Sequence, residues 1–159
     1  MKRASTIFLR VVTVLIGIVA LLVMIRFPMT EGRATKLDLF HIYADPFLVY
    51  GYLASIPFFV ALYQAFKLLG YIGQNKVFSV SSVKALRTIK YCAITQSILI
   101  VTTGLYVRIF HAQDDDPAGF LAICILTTFI SIVIATAAAV FERLLQNAVS
   151  IKSENDLTV

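Results

Sequence analysis

Charge is scarce in this chain. Of its 159 residues only 14% are Asp, Glu, Lys or Arg, against roughly 25% in soluble domains. The two histidines and nine acids form no recognisable catalytic set. No His-Glu-x-x-His occurs, no glycine loop that would cradle a phosphate, and no Ser-His-Asp group in a workable frame. The long apolar runs hold no aspartate, so an intramembrane aspartyl protease is excluded. Neither acid nor base lies near the middle of a run, which argues against an ion-coupled pump or carrier. Cysteine is limited to Cys92 and Cys124, without a Cys-x-x-Cys, so neither a zinc knuckle nor a redox pair is supported. Both read as small apolar residues inside the runs. The expectation is a protein that is not an enzyme, with no catalytic, cofactor-binding or metal-ligating residues.

What the chain has in quantity is hydrocarbon: 59% of residues are hydrophobic and the mean hydropathy is +0.86. Uncharged stretches cover residues 11–25, 46–66, 91–107 and 118–141. A helix needs about 20 residues to cross the roughly 30 Å of a bilayer core. The second and fourth stretches meet that unaided. The third borrows residues 108–110 and the first extends to 7–27, with Arg10 and Arg26 snorkelling to the headgroups. The reading is one all-α domain over residues 1–159, an integral membrane four-helix bundle with spans at about 7–27, 46–66, 91–110 and 118–141. The basic start followed by an apolar core resembles a secretory signal. No small-x-small cleavage site follows, and an uncleaved first span is expected.

Lys and Arg divide unevenly between the two sides. Lys2, Arg3, Arg10, Lys67, Lys76, Lys84, Arg87, Lys90, Arg143 and Lys152 fall on one side, and Arg26, Arg33, Lys36 and Arg108 on the other. Short loops rich in Lys and Arg stay in the cytoplasm. The expectation is therefore cytoplasmic N and C termini, a cytoplasmic loop at 67–90 and a cytoplasmic tail at 142–159. The net charge of +5 serves orientation in this reading, and no direct nucleic-acid binding is expected.

Local features follow. Pro57 inside the second span is expected to kink it. Asp114, Asp115 and Asp116 precede Pro117 on the outer side. Asp116 suits an N-cap and Pro117 a first helical position. A cation held by these acids with His111, His41 and Asp45 is the less favoured reading. Ser131, Ala135 and Ala139 repeat at spacing four, a face for close packing within the bundle or, less favoured, against a second copy. Gln64, Gln96, Ser97, Thr102, Thr103, Thr127, Thr128 and Ser131 are expected to hydrogen-bond between helices.

Two cytoplasmic segments are candidate partner surfaces. Residues 77–90 contain no acid. Ser81 or Ser82 can cap a helix that gathers Val83, Leu86 and Ile89 while Lys84, Arg87 and Lys90 project to headgroups or water. That turn reads first as interfacial and second as a docking face. The tail carries Glu154, Asn155, Asp156, Leu157 and Val159. It is able to add as a strand to a partner or to fold back on the basic loop.

Several blocks carry a family resemblance: residues 56–66 (Ile-Pro-Phe-Phe-Val-Ala-Leu-Tyr-Gln-Ala-Phe), Phe78–Ser79 through Leu86, Ile89–Cys92, the 114–119 turn, and the ending 151–159. The chain resembles the small four-span bacterial membrane proteins grouped as Domain of Unknown Function 2975, from about the second span to the end. Its outer turn departs from the expected Asp-Asp-Ala-Pro-Gly, reading Asp115-Asp116-Pro117-Ala118-Gly119. The resemblance brings no activity and no catalytic residues. It implies a Gram-positive source and a gene neighbour encoding a very short helix-turn-helix regulator. The expected role is a non-enzymatic regulatory or interaction protein of the bacterial plasma membrane that partners such a regulator. The alternative is a self-protection or transport accessory protein acting on peptides or lipids.

Overall fold

The computed structural model describes residues 3–30, 46–110 and 118–157, with side chains described over 5–26, 46–110 and 118–154. All regular structure among them is α-helical. Helix α1 spans Arg3–Thr30, α2 Pro46–Gly73, α3 Val80–Phe110 and α4 Ala118–Leu157. Each is long and apolar enough to cross a membrane. Every helix outlasts the uncharged stretch inside it. The 40 residues of α4 extend about 60 Å, twice a bilayer core.

Antiparallel packing of chain neighbours builds the fold. α1 lies on α2, α2 on α3 and α3 on α4. Along α1–α2, Thr6 sits beside Gly73, Arg10 beside Gly70 and Phe66, Gly17 beside Leu62, and Tyr52 donates to the Met24 carbonyl at 3.2 Å. Tyr50 donates to the Leu99 carbonyl at 3.1 Å across α2–α3. Gly104 of α3 faces Leu121 and Cys124 of α4. Among the described residues no extensive contact joins α1 to α4. The main contacts among the described residues thus run between chain neighbours. The outer faces of α1 and α4 are apolar and exposed, from Ile7 and Val11 to Phe129 and Val133. Lipid, as apolar as a neighbouring helix, solvates such faces without a fourth contact.

The densest packing is between α3 and α4. Ala93, Ser97 and Gly104 are buried on one, and Ser131, Ala135 and Ala138 on the other. Small side chains let the two backbones approach. Ser131 and Ala135 thus face the chain's own interior and Ala139 is half-buried. Ser131 and Ala135 of the stripe are thus used in packing within the chain.

The span hydroxyls differ from expectation. Ser97, Thr102, Thr103, Thr127 and Ser131 donate to the carbonyls of Ala93, Ile98, Leu99, Ile123 and Thr127, four residues back on their own helices. A helical Ser or Thr reaches that carbonyl in an ordinary rotamer, so no partner helix is required. Within the spans, Tyr50 and Tyr52 make hydrogen bonds from helix to helix. Helix α2 runs unbroken through Pro57.

The reversal between α2 and α3 occupies only residues 74–79. Asn75 adopts φ 57°, a left-handed conformation that Asn tolerates better than most residues. Lys76 N–H donates to the Tyr71 carbonyl at 2.8 Å and Asn75 N–H to that of Ile72 at 3.2 Å. This pair of bonds closes the helix as a Schellman motif. Ser79 then caps α3: its carbonyl accepts from Val83 N–H at 3.3 Å and its Oγ from Ser82 N–H at 3.3 Å. The cap is therefore Ser79, not Ser81 or Ser82, because the tight reversal starts the helix earlier. Ser82 is fully buried, and its hydroxyl ties back to the Lys76 carbonyl at 3.3 Å.

Candidate functional site

The antiparallel arrangement gathers the start of α1, the end of α2, the start of α3 and the Glu142 region of α4 at one end of the array. That end holds most of the charge. Its centre is Glu142, only 5% exposed. Arg87 Nε donates to Glu142 Oε1 at 2.7 Å, and Lys90 Nζ donates to Oε2 at 2.7 Å. Residues 87 and 90 are three apart on α3, so both side chains reach the same point on α4. Their exposures differ: the Arg87 side chain is 50% exposed and that of Lys90 22%. All three residues lie just outside the uncharged stretches that end at Phe141 and begin at Tyr91.

Hydrogen bonds from Lys90 and Arg87, with their positive charge, hold the Glu142 carboxyl below the usual carboxylate range. Glu142 in turn raises Arg87 above its ordinary value, chiefly through the hydrogen bond. The carboxylate is thus ionised and doubly satisfied at neutral pH.

Other cations at this end rest on aromatic rings. The Arg10 guanidinium carbon lies 5.1 Å from the Phe66 ring centroid, and Lys67 Nζ lies 4.9 Å from that of Tyr63. A Cβ at Gly70 would meet the Arg10 guanidinium, so glycine leaves room for the arginine to cross. Arg10 Nε is buried and has no hydrogen-bond partner among the described residues.

The sequence-predicted residues distribute as follows. Val83 and Leu86 are buried and Ile89 is half-buried, while Lys84 is exposed. Arg87 and Lys90 turn onto Glu142 instead of projecting freely. Helix continues through Leu157, which replaces the strand-forming tail considered for that segment. Glu154 is exposed. Asp114, Asp115, Asp116 and Val159 lie outside the described residues, as do the side chains of Asn155, Asp156 and Leu157. So do His41, Asp45 and His111. No group of three potential metal ligands occurs among the described residues.

Glu142 is the residue that sequence reasoning overlooked. Its signal was present: a lone acid directly after 24 uncharged residues, opposite a segment with cations at 87 and 90 and no acid. At the opposite end, Pro46, Phe47, Tyr50, Thr102, Thr103 and Tyr106 line a cavity of about 220 Å³ between α2 and α3.

Among known proteins, the chain is 49% identical over 162 residues to the "Uncharacterized membrane protein YoaS" of Bacillus subtilis (strain 168), and the alignment covers all of both chains. No solved structure matches. Together with the four membrane-spanning helices, this similarity marks a multi-pass membrane protein. The chain belongs to the family described as protein of unknown function (DUF2975), which matches residues 29–159.

Proposed function

We propose that the protein is a non-enzymatic interaction protein of the bacterial plasma membrane, with both termini and the α2–α3 reversal in the cytoplasm. The Lys and Arg asymmetry supports that orientation, since ten of these residues fall on the Glu142 side and four on the other. One observation carries the functional reading. Helix α4 continues from Glu142 to Leu157, beyond the last uncharged stretch, and projects about 24 Å past it. A helix sustained so far beyond the hydrocarbon offers a docking element in water. Its end at Glu154, Asn155, Asp156 and Leu157 is the candidate partner surface. The partner that the family resemblance implies is a small helix-turn-helix regulator.

Capture from solubilised membranes tests this. The tagged full chain retains the regulator, and a chain ending at Ser150 loses it. Equal recovery with both chains, or no recovery with either, overturns the reading.

The aromatic cavity at Tyr50 and Tyr106 favours a second reading, a self-protection or transport accessory protein for peptides or lipids. That reading predicts altered sensitivity of a deletion strain to cationic peptides while transcript levels stay flat. Regulation predicts the converse.

A further inference from the structure

Glu142 engages only part of the positive charge around it. Arg87 commits Nε to the carboxylate, and its two terminal nitrogens have no partner among the described residues. Lys90 commits one of its three N–H groups there. Lys84, one turn earlier, is exposed. Tyr91 is also exposed, with Lys90 Nζ 4.8 Å from its ring centroid. Positions 84, 87 and 91 share one helix face. No acid occurs anywhere between residues 46 and 110. Arg87 and Lys90 therefore share one carboxylate, and exposed Lys84 adds a further positive charge one turn before Arg87.

Depth in the membrane identifies the complement. The uncharged residues of α3 begin at Tyr91 and those of α4 end at Phe141. The cluster thus sits where hydrocarbon gives way to headgroups. The planar Arg fork matches two phosphate oxygens, and tyrosine suits the interface.

We propose that Lys84, Arg87, Lys90 and Tyr91 bind the phosphate of an anionic phospholipid, with Glu142 holding Arg87 by Nε so that its terminal nitrogens remain available. The site needs no cytoplasmic protein partner, so its test is independent of the capture experiment above.

Native mass spectrometry of the purified full chain, mixed with equal amounts of phosphatidylglycerol and phosphatidylcholine, reads the preference. Phosphatidylglycerol is retained about tenfold better. Lys84→Gln lowers that preference about fivefold, the effect of one basic residue near an anionic surface. Arg87→Lys keeps the charge and a donor for Glu142 but loses the fork, and lowers the preference about threefold. Lys84→Gln leaves the Glu142 pairs untouched, so it serves if Arg87→Lys fails to fold. Equal retention of the two lipids by the natural chain, or a preference unmoved by Lys84→Gln, overturns the proposal. A sodium phosphate arm separates the sources: displacement of the lipid by equimolar inorganic phosphate assigns the site to a soluble anion and overturns the lipid assignment.

Discussion

Lys90 Nζ and Glu142 Oε2 stand 2.7 Å apart although 52 positions separate them in the chain. The pair joins the point where α3 enters its uncharged stretch to the point where α4 leaves its own. It therefore fixes the register of the most closely packed helix pair.

Removing the carboxylate should loosen that register. Glu142→Ala leaves Lys90 half-buried without its acceptor. We expect a loss of about 2 kcal/mol, the scale of a hydrogen bond to a charged group, read as a lower melting temperature in detergent. A double-mutant cycle with Lys90→Ala should show strong coupling. Additive effects would mean that the contact contributes nothing.

The same residue gives a pH dependence of known sign. Hydrogen bonds from Lys90 and Arg87 depress the carboxyl pKa in the folded state. Its stabilisation is therefore complete above the unfolded value of about 4.3 and disappears as pH falls through the depressed folded value. Melting temperature should decline in that acid window, and more steeply for the natural chain than for Glu142→Gln. Parallel curves would contradict the assignment.

Capping supplies a third expectation. Ser79→Ala removes the acceptor of Ser82 N–H and should cost about 1 kcal/mol. Ser81→Ala, at an exposed position inside the helix, should leave the melting temperature unchanged. The reverse order would move the start of α3.

Gly104 measures how closely α3 and α4 approach. An added Cβ would lie 3.6 Å from Cys124 Cβ and 3.8 Å from Leu121 Cδ2, ordinary contact distances. Gly104→Ala should be neutral or stabilising, since alanine favours helix by up to about 1 kcal/mol. Gly104→Leu overfills the contact and should cost about 1–3 kcal/mol.

The helices were legible in the sequence because lipid demands long uncharged runs, and residues 46–66 and 118–141 supply them directly. Val83 and Leu86 were legible as one apolar face for the same reason of period. Lys84, Arg87 and Lys90 were legible as a basic group, but Glu142 was not legible as their acceptor. That contact depends on the α3–α4 register, which a run of uncharged residues does not encode. Ser97 and Thr127 were misread because lipid requires a hydroxyl to be satisfied without specifying by which helix. The start of α3 escaped for a local reason: the left-handed Asn75 turns the chain before Ser79, leaving only a short reversal.

Reporter fusions at Asn75 and Asp115 test the four-span, cytoplasmic-termini arrangement most directly. A fluorescent protein that matures only in the cytoplasm should glow at Asn75 and stay dark at Asp115, while alkaline phosphatase, active only outside, should do the reverse. Fluorescence at Asp115 with phosphatase activity at Asn75 would contradict the account.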